Sequence, residues 1–138
     1  MRKQILFLRL CFWIGALADL LATVPLLFPE AVRVMFGLSA VAEGSDYFYA
    51  SRIAASLMLG WTGLLVWGSC KPVERKAVLL LTVAPVLAGL AGASVLAVRS
   101  GFTPTSSMLP LWFFYAVIIP LYISAYLVAG KARAAMKD

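Results

Sequence analysis

The chain has 138 residues, of which 63% are hydrophobic and only 13% charged. Ordinary soluble domains are about 45–50% apolar and about 25% charged, so a single soluble domain of this length is excluded: its interior is too small to hide the excess. The formal net charge is +6 and there is no His, which removes His-ligated haem, His-based metal sites and imidazole acid–base chemistry.

The mean hydropathy is +0.95, and the charges cluster between apolar runs. An integral membrane protein is the class that fits. The basic residues flank hydrophobic spans, so they read as membrane anchors rather than as a nucleic-acid surface. Cys11 and Cys70 cannot build a four-thiolate site alone and sit in no CxxC pattern. They are expected to be small buried hydrophobes. No cofactor and no metal are expected.

The first apolar run covers about residues 5–28. Its "MRK" start and "ALA" at 16–18 resemble a secretory signal, but Arg9 cuts the apolar stretch short and the pattern continues past Ala18, which favours an uncleaved span. The outer loop that follows, "PEAVRVMFGLSAVAEGSD", is mostly apolar with one Arg. It fits a short segment lying in the interface, with Pro29 and Glu30 suited to a helix start.

The second run is about 47–69, "YFYASRIAASLMLGWTGLLVWGS", and is followed by the basic loop "CKPVERKA". The third is about 77–98, "AVLLLTVAPVLAGLAGASVLAV", and the fourth about 108–129, "MLPLWFFYAVIIPLYISAYLVA". Between them, "RSGFTPTSS" is a plain connector. At 1.5 Å per residue each run reaches roughly 33–36 Å, enough to cross a ~30 Å hydrocarbon core as a helix. These runs are too long, and lack the alternation, for barrel strands.

Eight basic residues fall on one side: Arg2, Lys3, Lys71, Arg75, Lys76, Lys131, Arg133 and Lys137. Three fall toward the other: Arg33, Arg99 and Arg52. The bias puts both termini in the cytoplasm and argues against dual topology. The expected architecture is therefore all-α: one domain over 1–138, an integral membrane four-helix bundle, N-in/C-in, with a short interfacial segment in the first outer loop.

Lipid tails do not drive helices together, so small residues mark expected contact faces. Run one offers Gly15, Ala22 and Thr23; run two Ser56, Gly60 and Gly63; run three Ala84, Ala88, Gly89, Gly92 and Ala93. Such faces serve contacts within the chain, or a homo- or hetero-oligomer, equally well. Pro25, Pro85 and Pro120 lie within spans and free the carbonyls of Leu21, Leu81 and Ala116, and Thr82 is placed to relieve one kink. Tyr47, Tyr49, Trp67, Trp112 and Tyr126 fall near span ends, as an interfacial belt would. Trp61 and Tyr122 lie deeper and are the candidate pocket aromatics.

Asp19 is the one acid deep in a span. An acid at the bilayer centre costs about 2.5–3.5 kcal/mol on insertion scales, so it should face protein or water. Three readings compete: a structural pair with Arg52; a protonated carboxyl bonded to Ser56, Thr23 or a carbonyl; and a functional carboxylate that exchanges protons or binds a cation. Side-chain lean works against the pair, because helical side chains point toward their own N-terminus. The candidate intramembrane polar site is thus Asp19, Arg52, Ser56 and Thr23.

The stretches "PLLFPEAVRVMFGL" and "SRIAASLMLGWTGLLVW", the second opening with Arg52 and running through Gly60 and Gly63, resemble the small bacterial four-helix membrane proteins that include the DoxX-like families. The resemblance implies a four-helix bundle and little else, and it carries over no catalytic residue; a bacterial cytoplasmic membrane is the expected location. A small multidrug-type transporter is the other analogy, with four short helices and an acid in the first. The residues after Asp19 do not match that pattern, and the charge bias opposes it. The sequence favours a non-enzymatic small-ligand or lipid binder, or an accessory subunit of a membrane complex, with membrane lipid as partner. The alternative is a small proton-coupled transporter using Asp19.

Overall fold

The computed structural model describes residues 2–28, 30–31, 44–101 and 103–135. Each apolar run becomes one long helix: α1 Arg2–Leu27, α2 Ser45–Cys70, α3 Ala77–Arg99 and α4 Thr105–Ala134. Their 26, 26, 23 and 30 residues reach roughly 35–45 Å, past the ~30 Å hydrocarbon core. All four are long and apolar enough to cross a membrane, and no strand occurs among the described residues. The helices outrun the apolar runs at several ends, because backbone pairing continues into the interface. The interfacial segment expected in the first outer loop lies outside the described residues, apart from 30–31 and 44–46.

α3 is not a uniform helix. Ala77–Leu81 and Ala88–Arg99 are α-helical, and Thr82–Leu87 between them is a π-helix that holds Pro85. Proline lacks the N–H for the usual i−4 bond and crowds that carbonyl. A wider π-turn accommodates both defects and lets the helix continue.

α1 lies against α2 along its length, and α4 packs on both α1 and α3. α2 and α3 touch little. The core gathers toward the end that holds both termini and the 71–76 turn. It is built from Leu8, Cys11 and Phe12 of α1, Leu65 of α2, Leu79 of α3, and Tyr122, Ala125 and Ala129 of α4. Val73 of the turn is buried with them. At that end Arg75 lies over the Trp67 ring at 3.6 Å and donates a hydrogen bond to the Trp67 carbonyl. Lys76 lies 4.8 Å over Tyr126. These cation–π contacts fix the two basic side chains against interfacial aromatics. At the opposite, far end, Gly101 follows α3 with φ 73°, a backbone conformation that favours glycine.

The outer surface is apolar. Leu57 is 70% exposed, Phe113 73% and Leu127 57%. A soluble monomer rarely leaves so much large apolar surface in water. On a bundle of spanning helices it is the lipid-facing surface.

Candidate functional site

Three helices meet around Gly15. The Tyr122 side chain crosses from α4, and its hydroxyl rests on the Gly15 backbone, where any Cβ would overlap it. Glycine is required here by close approach rather than by backbone angle. Leu65 of α2 closes the third side. Asp19 lies one turn along α1 from Gly15 and Cys11 one turn the other way, so all three share a face. Asp19 therefore lies about 6 Å of helical rise from the point where the Tyr122 hydroxyl meets Gly15.

Two polar atoms in this region are sealed without a hydrogen-bond partner among the described residues: Asp19 Oδ2 and the Tyr122 hydroxyl. Tyr122 is 1% exposed. Buried polar groups nearly always find a partner, and leaving one unmade costs about 1–3 kcal/mol. The two orphans lie on facing surfaces of α1 and α4, about one helical turn apart.

The Asp19–Arg52 ion pair, one of the three competing readings, is not formed. Arg52 is exposed, and the ion pair among the described residues is Lys71–Glu74, at 3.3 Å on the surface. The reason is rotational. α2 presents Ser51 and Ala55 to the interior. Arg52 and Ser56 each lie one residue further on, about 100° around the helix. The Ser56 hydroxyl donates to the Arg52 carbonyl at 3.0 Å, within its own helix. Thr23 is buried in α1, but its hydroxyl donates to the backbone carbonyl of Asp19 at 2.8 Å. Of the four residues expected to share a site, the structure brings Asp19 and Thr23 onto one helix face and leaves Arg52 and Ser56 outside.

The small-residue faces divide in the same way. Gly15 and Thr23 are buried, so the α1 face is a real contact. Gly60, Gly63, Gly89 and Gly92 have nothing within 4 Å of a Cβ position, so the expected α2 and α3 faces make no contact within this chain. The glycine α2 uses is Gly68, against which the Phe12 ring is packed.

Both candidate aromatics are placed internally. Trp61 Nε1 donates to Thr82 Oγ1 at 3.1 Å, and the Thr82 hydroxyl donates to the Val78 carbonyl at 2.8 Å. This ties α2 to the start of the π-turn. A second relay went unforeseen: Trp112 Nε1 donates to Ser94 Oγ at 2.8 Å, and Ser94 donates to the Ala91 carbonyl at 2.7 Å. A third contact joins Ser51 Oγ to the Leu26 carbonyl, which satisfies an end-of-helix acceptor of α1.

Beside the Trp112–Ser94 bond lies an open groove of about 270 Å³, lined by Ala91, Val95, Trp112 and Tyr115. Tyr115 precedes Tyr122 by seven residues, two turns, so both lie on the inner face of α4. The groove continues that face toward the far end. Its walls are hydrocarbon and aromatic rings, which offer mainly apolar contact. No family model, curated protein or solved structure matches this chain.

Proposed function

We propose that this chain is a non-enzymatic integral membrane protein that binds a small apolar or lipid-like ligand, with both termini cytoplasmic in a bacterial membrane. The observation that carries it is the groove of Ala91, Val95, Trp112 and Tyr115. Two of its walls are held by the Trp112–Ser94 bond, which makes it pre-formed, as ligand sites usually are. The orientation rests on the eight-to-three bias of basic residues. The DoxX-like resemblance bears on the four-helix architecture alone.

Native mass spectrometry from mild detergent tests this reading. A bound lipid or small-molecule mass is expected on the unaltered protein and lost in Ala91→Trp, which fills the groove. Ala93→Trp, on an exposed position, keeps it. Equal adducts in both variants would overturn the groove.

A second reading has its own observation. Gly60, Gly63, Gly89 and Gly92 are open and suit close approach of another helix, as an accessory subunit would need. The same spectra read it directly as a protein–protein mass. The proton-coupled transporter remains the alternative from another class, and its support is the unpartnered carboxyl of Asp19.

A further inference from the structure

We propose that Asp19 and Tyr122 form an internal polar site for the primary ammonium head of a single-chain amphiphile whose tail lies in the groove. This deepens the ligand-binding reading and rests on it. The argument starts from chemistry left incomplete. Asp19 Oδ2 and the Tyr122 hydroxyl are sealed and unpartnered among the described residues, and Tyr122 is 1% exposed. Both oxygens accept hydrogen bonds, and the phenol also has one proton to give, for which the carboxylate is the acceptor at hand. Once that proton is placed, the remaining lone pairs call for donors.

Charge narrows the donor. The ion pair among the described residues lies at Lys71–Glu74, and Arg9 and Arg52 are both exposed, so no described residue supplies a cation to the one acid within the spans. A primary ammonium brings a positive charge and three N–H donors, and bonds of that kind are the stronger ones. A trimethylammonium head brings the charge without the donors. A water molecule would bring donors without the charge, and it is the competing occupant.

Position supplies the tail. Asp19 is four residues, about 6 Å of rise, beyond Gly15, and Tyr115 is seven residues, about 10 Å, beyond Tyr122 in the same direction. Since Gly15 and Tyr122 touch, the groove begins about one turn past the carboxyl, on the same inner face of α4. A ligand with its head at Asp19 runs its chain between Tyr115, Trp112, Ala91 and Val95.

The test is calorimetric titration of the full chain in zwitterionic nanodiscs, corrected for empty discs, with dodecylammonium and dodecyltrimethylammonium as probes. The expected result is saturable binding of dodecylammonium and about tenfold weaker binding of the trimethyl compound. Asp19→Asn weakens dodecylammonium by a similar factor, and Tyr122→Phe weakens it less. Equal binding of the two heads, unchanged binding in Asp19→Asn, or partition no greater than into empty discs would each overturn the proposal. Equal heads with binding lost in Ala91→Trp would leave the groove standing and remove only the ammonium site. Unchanged binding in Ala91→Trp would remove the groove itself. The comparison of heads needs no variant, so a variant that fails to fold does not spoil it.

Discussion

Gly15 and Tyr122 are a matched pair. The hydroxyl occupies the volume that a side chain at position 15 would need. Adding a methyl to a filled core usually costs about 1–3 kcal/mol, so Gly15→Ala should destabilise the bundle by that order. Deleting the hydroxyl in Tyr122→Phe should recover most of the loss. A double-mutant cycle by unfolding in detergent reads this as a coupling of roughly 0.5–3 kcal/mol. Simple additivity would mean that the close approach does not hold in solution. Gly60→Ala is the internal control. It meets nothing within 4 Å and should be neutral or gain up to about 1 kcal/mol from helix propensity. The sequence already marked Gly15, Asp19, Thr23 and Tyr122 as outliers, because a glycine, an acid or a phenol stands out within an apolar run. It could not pair Gly15 with Tyr122, since they are far apart in the chain and no local pattern encodes which helices meet.

Among the elements, the helices themselves were the legible part. Hydropathy is a local property, and twenty or so consecutive apolar residues define a span without reference to anything else. The faces were not. In water, an amphipathic helix shows its buried side by contrast with its polar side. Here lipid replaces water, both sides are apolar, and that contrast vanishes. Small residues were the remaining guide, and on α2 they pointed to Ser56, Gly60 and Gly63 where the structure uses Ser51, Ala55, Leu65 and Gly68. The tryptophan relays show what joins the elements instead. The sparse α2–α3 boundary carries the Trp61–Thr82 bond at its centre. A cycle of Trp61→Phe and Thr82→Val should show coupling of about 0.6 kcal/mol, and no more than about 1.7, the range found for interhelical hydrogen bonds in membranes. Zero coupling would mean that the π-turn at Thr82–Leu87 is held by Pro85 alone.

For the whole molecule, the location of the core and the distribution of charge point to the same end. The largest buried side chains, Leu8, Phe12, Leu65, Leu79 and Tyr122, lie toward the end with the termini and the 71–76 turn. Seven of the eight basic residues of that side, Arg2, Lys3, Lys71, Arg75, Lys76, Lys131 and Arg133, lie there as well. Arg75 and Lys76 bind the two together by packing on Trp67 and Tyr126. Toward the other end, α1 stays with α2 and α3 with α4, and the groove opens between α3 and α4. The two cysteines offer a measurement of this polarity without added reporters. Cys11 is buried in the core, but Cys70, which the sequence led one to expect buried too, is exposed because it ends α2 at the basic end. With the basic end cytoplasmic, a membrane-impermeant maleimide should leave intact cells unlabelled and should label inside-out vesicles at Cys70. Cys11 should react only after unfolding, because access controls thiol reactivity. Labelling of Cys70 in intact cells would invert the molecule. It would put eight basic residues outside, against the rule that sets orientation, and the groove would then open toward the cytoplasmic leaflet instead of the outer one.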